Sequence, residues 1–173
     1  IEDRILGLVE SHRSTIVFAN SRRTVEKLTA KLNELVDNNV EGAVADEPTT
    51  QAFRAHHGSL SLDERRATEE LLKNADLRAV VTTASLELGI DMGEVDLVCQ
   101  VESPGNVARG LQRVGRSGHL VGGTSKGRFL AKTPSDLLET AALARAMLAG
   151  DIEPLRVPRN CLDVLAQQVV ACV

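Results

Sequence analysis

Short runs of β-branched and aliphatic residues alternate with amphipathic stretches along most of this chain, and that alternation leaves few folds open to it. Thr15-Ile16-Val17-Phe18-Ala19, Phe53 to His57, Arg78 to Thr82 and Val95 to Val101 read as strands, and Arg128 to Ala131 as one more that closes the sheet. Helices are predicted between them. The one from Ser21 to Val36 places Val25, Leu28, Leu32, Leu35 and Val36 on one face. The one from Ser61 to Asn74 opens with Ser61 and Glu64, the spacing of a capping box. A third runs from Asn106 to Gly115 after Pro104-Gly105, and a long Ala/Leu helix from Ser135, read as its cap, to Ala149. Strands that recur with helices between them build a parallel sheet sandwiched by helices, so the fold class is α/β.

Residues 1–150 are expected to form this domain, and 151–173 a linker with a helical extension. Pro154 and Pro158 mark the linker, and Cys161 to Val173 reads as a helix whose partners lie downstream. The opening Ile1-Glu2-Asp3-Arg4 carries no initiator Met, which suggests a piece of something longer. No apolar run approaches the roughly 20 residues of a membrane span, so no membrane partner is expected. Cys99, Cys161 and Cys172 are odd in number and widely spaced, which argues against disulfides or zinc and makes a reducing cytoplasm the expected location. A net charge of −4 speaks against a broad basic face that coats nucleic acid, though not against a narrow groove. With three Phe and no Trp or Tyr, base stacking is not this segment's main grip.

Three groups of residues carry chemistry, and each is expected at a strand-to-helix junction or turn, where parallel sheets place ligands. Thr82-Thr83-Ala84-Ser85-Leu86-Glu87-Leu88-Gly89-Ile90-Asp91 follows a strand. Its hydroxyls and backbone N–H groups suit a phosphate oxygen, Gly89 permits close approach, and Asp91 can accept from a ribose hydroxyl. A strand, a cap and a turn Asp explain the same residues equally well. Gln112-Arg113-Val114-Gly115-Arg116-Ser117-Gly118-His119 sets two arginines three apart around a glycine. A guanidinium fork suits the spread charge of a phosphoryl-transfer transition state, while a basic helix end followed by a glycine stop is the plainer alternative. Asn20-Ser21-Arg22 and His56-His57-Gly58-Ser59 offer small polar groups for a phosphate backbone, or simply a capped helix and a tight turn. No third ligand stands near the two histidines, so no metal site is expected.

Taken together, Thr15 to Lys132 resembles the second RecA-like domain of superfamily 2 helicases. Thr15 to Arg22 is similar to motif IV, His57-Gly58 with Arg65 to the His-Gly element, Thr82 to Asp91 to motif V, and Gln112 to His119 to motif VI. The wording Ala55-His56-His57-Gly58-Ser59-Leu60-Ser61, Glu87-Leu88-Gly89-Ile90-Asp91 and Gly115-Arg116-Ser117-Gly118-His119 looks most like the large helicase-related (Lhr) family of prokaryotic DNA helicases. The resemblance implies a RecA-like sheet of the phosphate-loop NTPase type, without the phosphate loop itself. It implies Arg116 as the arginine finger, Gln112 as a bridge between motor domains, and Arg113 as a brace at their interface. It implies ATP contacts from Gly89, Asp91, Arg116 and His119, the last standing where many relatives have a second finger arginine. Nucleic-acid contacts fall to Thr83, with Ser21, Arg22, His57, Gly58 and Ser59. The implied partners are a first RecA-like domain, downstream domains, and single-stranded DNA, with an RNA:DNA hybrid as a further substrate. Arg159 to Val173 is either the first helix of a following winged-helix domain or a terminal helix docked on this one.

Neither a phosphate loop nor an Asp-Glu run for magnesium occurs, and Gly122-Gly123-Thr124-Ser125-Lys126-Gly127 has the wrong order and spacing. ATP with Mg2+ is therefore expected to be held mainly by the first RecA-like domain, and the chain alone to be inactive. Two rival readings stand beside the helicase: a non-catalytic nucleotide- or phosphate-binding regulatory domain, and a plain nucleic-acid-binding module.

Overall fold

The computed structural model describes residues 1–39, 52–87, 95–118, 124–154 and 159–172. Five strands form one sheet: β1 (Thr15–Phe18), β2 (Phe53–His56), β3 (Ala79–Thr82), β4 (Leu97–Val101) and β5 (Gly127–Leu130). Their order across the sheet is β2-β3-β1-β4-β5, and every pairing is parallel. The helices are α1 (Glu2–Glu10), α2 (Arg22–Asn39), α3 (Leu62–Lys73), α4 (Val107–Val114), α5 (Pro134–Ala149) and α6 (Leu162–Ala171). A short 3-10 turn, Ala84–Leu86, follows β3.

Alternation along the strands divides the core into two layers. Val17, Ala79, Val81, Leu97 and Cys99 face Ile5 and Val9 of α1 and Val25, Leu28 and Leu32 of α2. Ile16, Phe18, Val80 and Val98 face the opposite way, onto Leu72, Leu77 and Leu86. All four residues of β1 are buried, as a central parallel strand covered on both faces requires. Burial pushes the Cys99 thiol up to about 12, so this cysteine is inert filling.

The predicted strands and the helices α2 to α5 are present with ends shifted by a few residues. Ser61 and Glu64 form the full capping box at the head of α3. The sequence gives no clear sign of α1. Its apolar residues Ile5, Leu6 and Val9 fall on one side, but nine residues carry too little periodicity to be distinctive. The cap of α5 is Thr133 rather than Ser135: its side chain accepts from Asp136 N, and Pro134 takes the first turn, where a missing N–H costs nothing. α6 has no buried residue, and Leu162, Leu165, Val169 and Val170 are exposed. Among the described residues no helix is long and apolar enough to cross a membrane.

Candidate nucleotide and nucleic-acid interface

Register places three strand ends side by side. Thr82 pairs with both Phe18 and His56, so the residues that follow β1, β2 and β3 emerge together at the carboxyl edge. Ser21 caps α2 by accepting from Thr24 N at 3.1 Å. The Arg22 guanidinium lies against Gly58, close enough that a Cβ there would sit 3.9 Å from Nη2. His57 Nδ1 accepts from Ser59 N at 3.3 Å, which leaves the ring proton on Nε2 to donate to Glu26. Gly58 and Ser59 are exposed at the tip of this turn. Thr83 is half-buried and extended at the start of the 3-10 turn, and its hydroxyl makes no cap hydrogen bond. Ser21, Arg22, His57, Gly58, Ser59 and Thr83 thus share one edge of the sheet.

The sequence offers His56 only as a turn or metal candidate, and the structure gives it another role. It is 1% exposed, with Nε2 against Glu69 Oε1 and Nδ1 against Ser85 Oγ, each at 2.8 Å. Its carbonyl accepts from Thr82 Oγ1 at 2.9 Å and from Thr83 N at 3.3 Å. Burial holds its imidazole below the ordinary range, with the Glu69 hydrogen bond pulling the other way. This network fixes the backbone on which Thr83 is displayed.

Arg113 is 3% exposed and points into the domain. Its Nε donates to Glu87 Oε1 at 2.6 Å, and Nη1 to Gln100 Oε1 at 2.7 Å and Asn20 Oδ1 at 3.3 Å. The guanidinium also lies over the Phe18 ring, 5.1 Å from its centroid. Named from the sequence as a catalytic candidate and a brace at the interface, Arg113 has its donors engaged by Glu87, Gln100 and Asn20 inside the domain. Glu87 and Asn20 fall within segments singled out in the sequence but were given no role of their own, and Gln100 lay outside them. A charged residue between two leucines, Leu86-Glu87-Leu88, was the available signal, since such a carboxylate needs a buried cation.

α4 leaves the carboxyl edge and runs back along the sheet. Gly118 N donates to Val95 O at 3.1 Å and Ser117 Oγ to Lys126 O at 3.0 Å, residues just ahead of β4 and β5. Arg116 therefore stands at the foot of a helix, towards the amino edge, and not at a strand's carboxyl end. Gly118 is required there: its φ is +71°, and a Cβ would meet Thr124 O at 2.8 Å. Gln112 is exposed and Arg116 half-buried. Arg116 Nε is buried without a hydrogen-bond partner among the described residues, as is Arg65 Nε. Gly89, Asp91 and His119 lie outside the described residues.

The head of α4 is fixed from two sides. Asn106 accepts from Arg109 N at 2.7 Å, and Glu153, beyond α5, accepts from Val107 N at 2.6 Å and Ala108 N at 3.2 Å. These contacts satisfy amides that open a helix without an internal partner, and hold the Glu153 carboxyl below the usual range. Met147 of α5 packs onto Gly110, where a Cβ would come within 2.7 Å of its sulfur.

A parallel sheet in this order, with motif V after β3 and motif VI running off α4, defines the second RecA-like domain of a superfamily 2 helicase. The chain belongs to the helicase conserved C-terminal domain family, whose model matches residues 2–120, and is most like the Lhr helicases. It is 52% identical to the Lhr helicase/uracil glycosylase of Escherichia coli K12 across 99% of the chain and 12% of that protein. Against the ATP-dependent helicase Lhr-Core of Methanothermobacter thermautotrophicus it is 42% identical, covering 96% of the chain and 18% of the relative. The solved structure of Mycobacterium smegmatis helicase Lhr bound to ssDNA and AMP-PNP superimposes with a TM-score of 0.89 at 55% identity, covering 98% of this chain and 21% of that one. The chain thus spans about an eighth to a fifth of the relatives it matches.

Proposed function

We propose that this chain is the C-terminal motor domain of an ATP-dependent DNA or RNA:DNA helicase. Residues 1–150 form the domain, and 151–173 lead out of it, with α6 as the first helix of a winged-helix domain. A first RecA-like domain supplies the phosphate loop and the Mg2+ ligands, and ATP lies between the two. Arg116 reaches across as the finger on the γ-phosphate, Gln112 bridges the domains, and Gly89, Asp91 and His119 approach the nucleotide. Thr83, with Ser21, Arg22, His57, Gly58 and Ser59, forms part of the single-strand track.

The observation that carries this reading is Arg116 itself. Its Nε is removed from water with no hydrogen-bond partner among the described residues, a costly arrangement that a ligand from outside would relieve. The Glu87–Arg113 pair adds a route from track to finger. Four residues after Thr83 the chain is clamped by an arginine that stands one helical turn ahead of Arg116. Closure that moves one end then moves the other. Arginine fingers contribute on the order of 10³ to 10⁵ in phosphoryl-transfer rate. In the complete polypeptide, Arg116→Ala should reduce DNA-stimulated ATP hydrolysis by at least about 10³-fold with the fold intact. Turnover within a few-fold of wild type would end the assignment.

A further inference from the structure

A cleft of about 310 Å³ opens on the other side of the α2 start from Gly58, bounded by Glu2, Arg23, Thr24, Lys27, Val101 and Lys132. Its cations are placed against the interests of the helix that carries them. α2 begins Arg22-Arg23 with no acid in its first turn, where the helix dipole disfavours positive charge. Arg23 and Lys27 are four apart, so like charges face each other along the helix. Neither has an acidic partner among the described residues, in a chain whose net charge is −4. Lys132, across the cleft, is held by Glu102 at 3.0 Å, and the Glu2 carboxylate on the cleft wall lies 3.4 Å from the Ile1 amino group, so Arg23 and Lys27 are the cleft's cations without a close acid among the described residues.

We infer that this cleft binds the sugar–phosphate backbone of single-stranded nucleic acid, extending the track beyond Thr83 and Arg22. The inference rests on the track proposed above and lengthens it. Arg22 and Arg23 splay to opposite sides of α2, one against Gly58 after β2, the other towards Val101 at the end of β4. Cations therefore line the carboxyl edge from β2 to Lys132, just past β5. Four strand spacings of about 4.8 Å make that edge about 19 Å long, enough for a strand to cross rather than touch it at one point. No aromatic residue lines the cleft, so it offers charge to phosphates and no stacking surface to bases.

The test is binding of a labelled oligothymidine to the complete polypeptide across a salt series, comparing wild type, Arg23→Gln/Lys27→Gln and Thr83→Ala. Glutamine keeps helix propensity, and removing like charges should leave the unfolding midpoint unchanged or raised. Loss of two phosphate contacts should weaken binding and reduce the salt slope by about 1.4. Lys132→Gln should have a smaller effect, because Glu102 already holds that ammonium. Unchanged affinity and slope in the double variant, with Thr83→Ala impaired, would overturn the cleft and leave the track standing. If Thr83→Ala also binds normally, the track reading fails and takes the cleft with it. Unchanged DNA binding with slowed ATP hydrolysis would mean that the cleft meets the first motor domain, which also overturns the inference.

Discussion

Arg113→Met strands the Glu87 carboxylate inside the domain. The wild-type guanidinium holds that carboxylate through Nε at 2.6 Å and also satisfies Gln100 Oε1 at 2.7 Å, with the arginine 3% and the glutamate 8% exposed. Breaking a buried ion pair from one side costs about 3–5 kcal/mol, because the charge left behind has lost its close counter-ion without regaining water; Arg109 Nε, 4.0 Å from the same oxygen, keeps the loss towards the lower end. The contact with Phe18 adds about 1 kcal/mol, and the slight exposure of Glu87 takes some of the penalty back. A net loss of about 3–4 kcal/mol follows. With a urea dependence of about 2 kcal/mol per molar, the midpoint of unfolding should fall by about 1.5–2 M. Arg113→Met combined with Glu87→Leu removes both charges and leaves Gln100 as the main unsatisfied group, so it should recover about 2 kcal/mol relative to the sum of the single variants. Equilibrium unfolding followed by far-UV circular dichroism gives all four corners of this cycle. A loss below about 1 kcal/mol for Arg113→Met, or a double variant as unstable as the sum, would refute the idea that this pair braces the domain.

Three further outcomes can be checked on the same chain or on the complete polypeptide. Burial depresses the His56 pKa below its ordinary value of 6.5, so the unfolded chain takes up the proton first. Stability is then fully present above that ordinary value and is lost as the pH falls through the depressed one; His56→Asn should flatten this part of the profile, and an identical slope would show that another group sets it. Gly118→Ala should destabilise by more than about 2 kcal/mol, since strain at positive φ adds to a clash with the Thr124 backbone; Gly150→Ala, with the same φ in open space, should cost about 1 kcal/mol. Equal losses at the two sites would mean that the clash relaxes. Thr83→Ala should lower DNA stimulation of ATP hydrolysis more than basal hydrolysis, and unchanged strand displacement would remove Thr83 from the track.

Much of this fold can be read from patterns short enough to survive without context. Thr15 to Phe18 and Ala79 to Thr82 are too uniformly apolar and β-branched to be anything but buried strands, and Ser61 with Glu64 marks a helix start by chemistry that acts within one turn. The features hidden from the sequence depend on long-range geometry. Arg113 and Arg116 look alike in a motif, yet one is turned inward by Glu87, Gln100 and Asn20, which lie 13 to 93 residues away. The general rule that ligands gather at carboxyl strand ends fits the place of Thr83 and Gly58, which lie together at that edge. It fails for Arg116, because α4 carries motif VI back to the other edge. Thr133 and Ser135 are equally good caps on paper, and Pro134 between them decides the matter by fitting the first turn. The residues that hold the head of α4 were beyond reach for the same reason: Glu153 lies 46 residues from the amide it accepts from.

That last contact changes how force passes through the domain. The segment after α5 does not hang free; it is tied by Glu153 to the first turn of the helix whose other end presents Arg116. An eight-residue helix is about 12 Å long and stiff along its axis. A tug on the chain beyond Pro154 is therefore delivered to Arg116 about one helix-length away, without having to deform the sheet. Mechanically, the way out of the domain is a handle on Arg116.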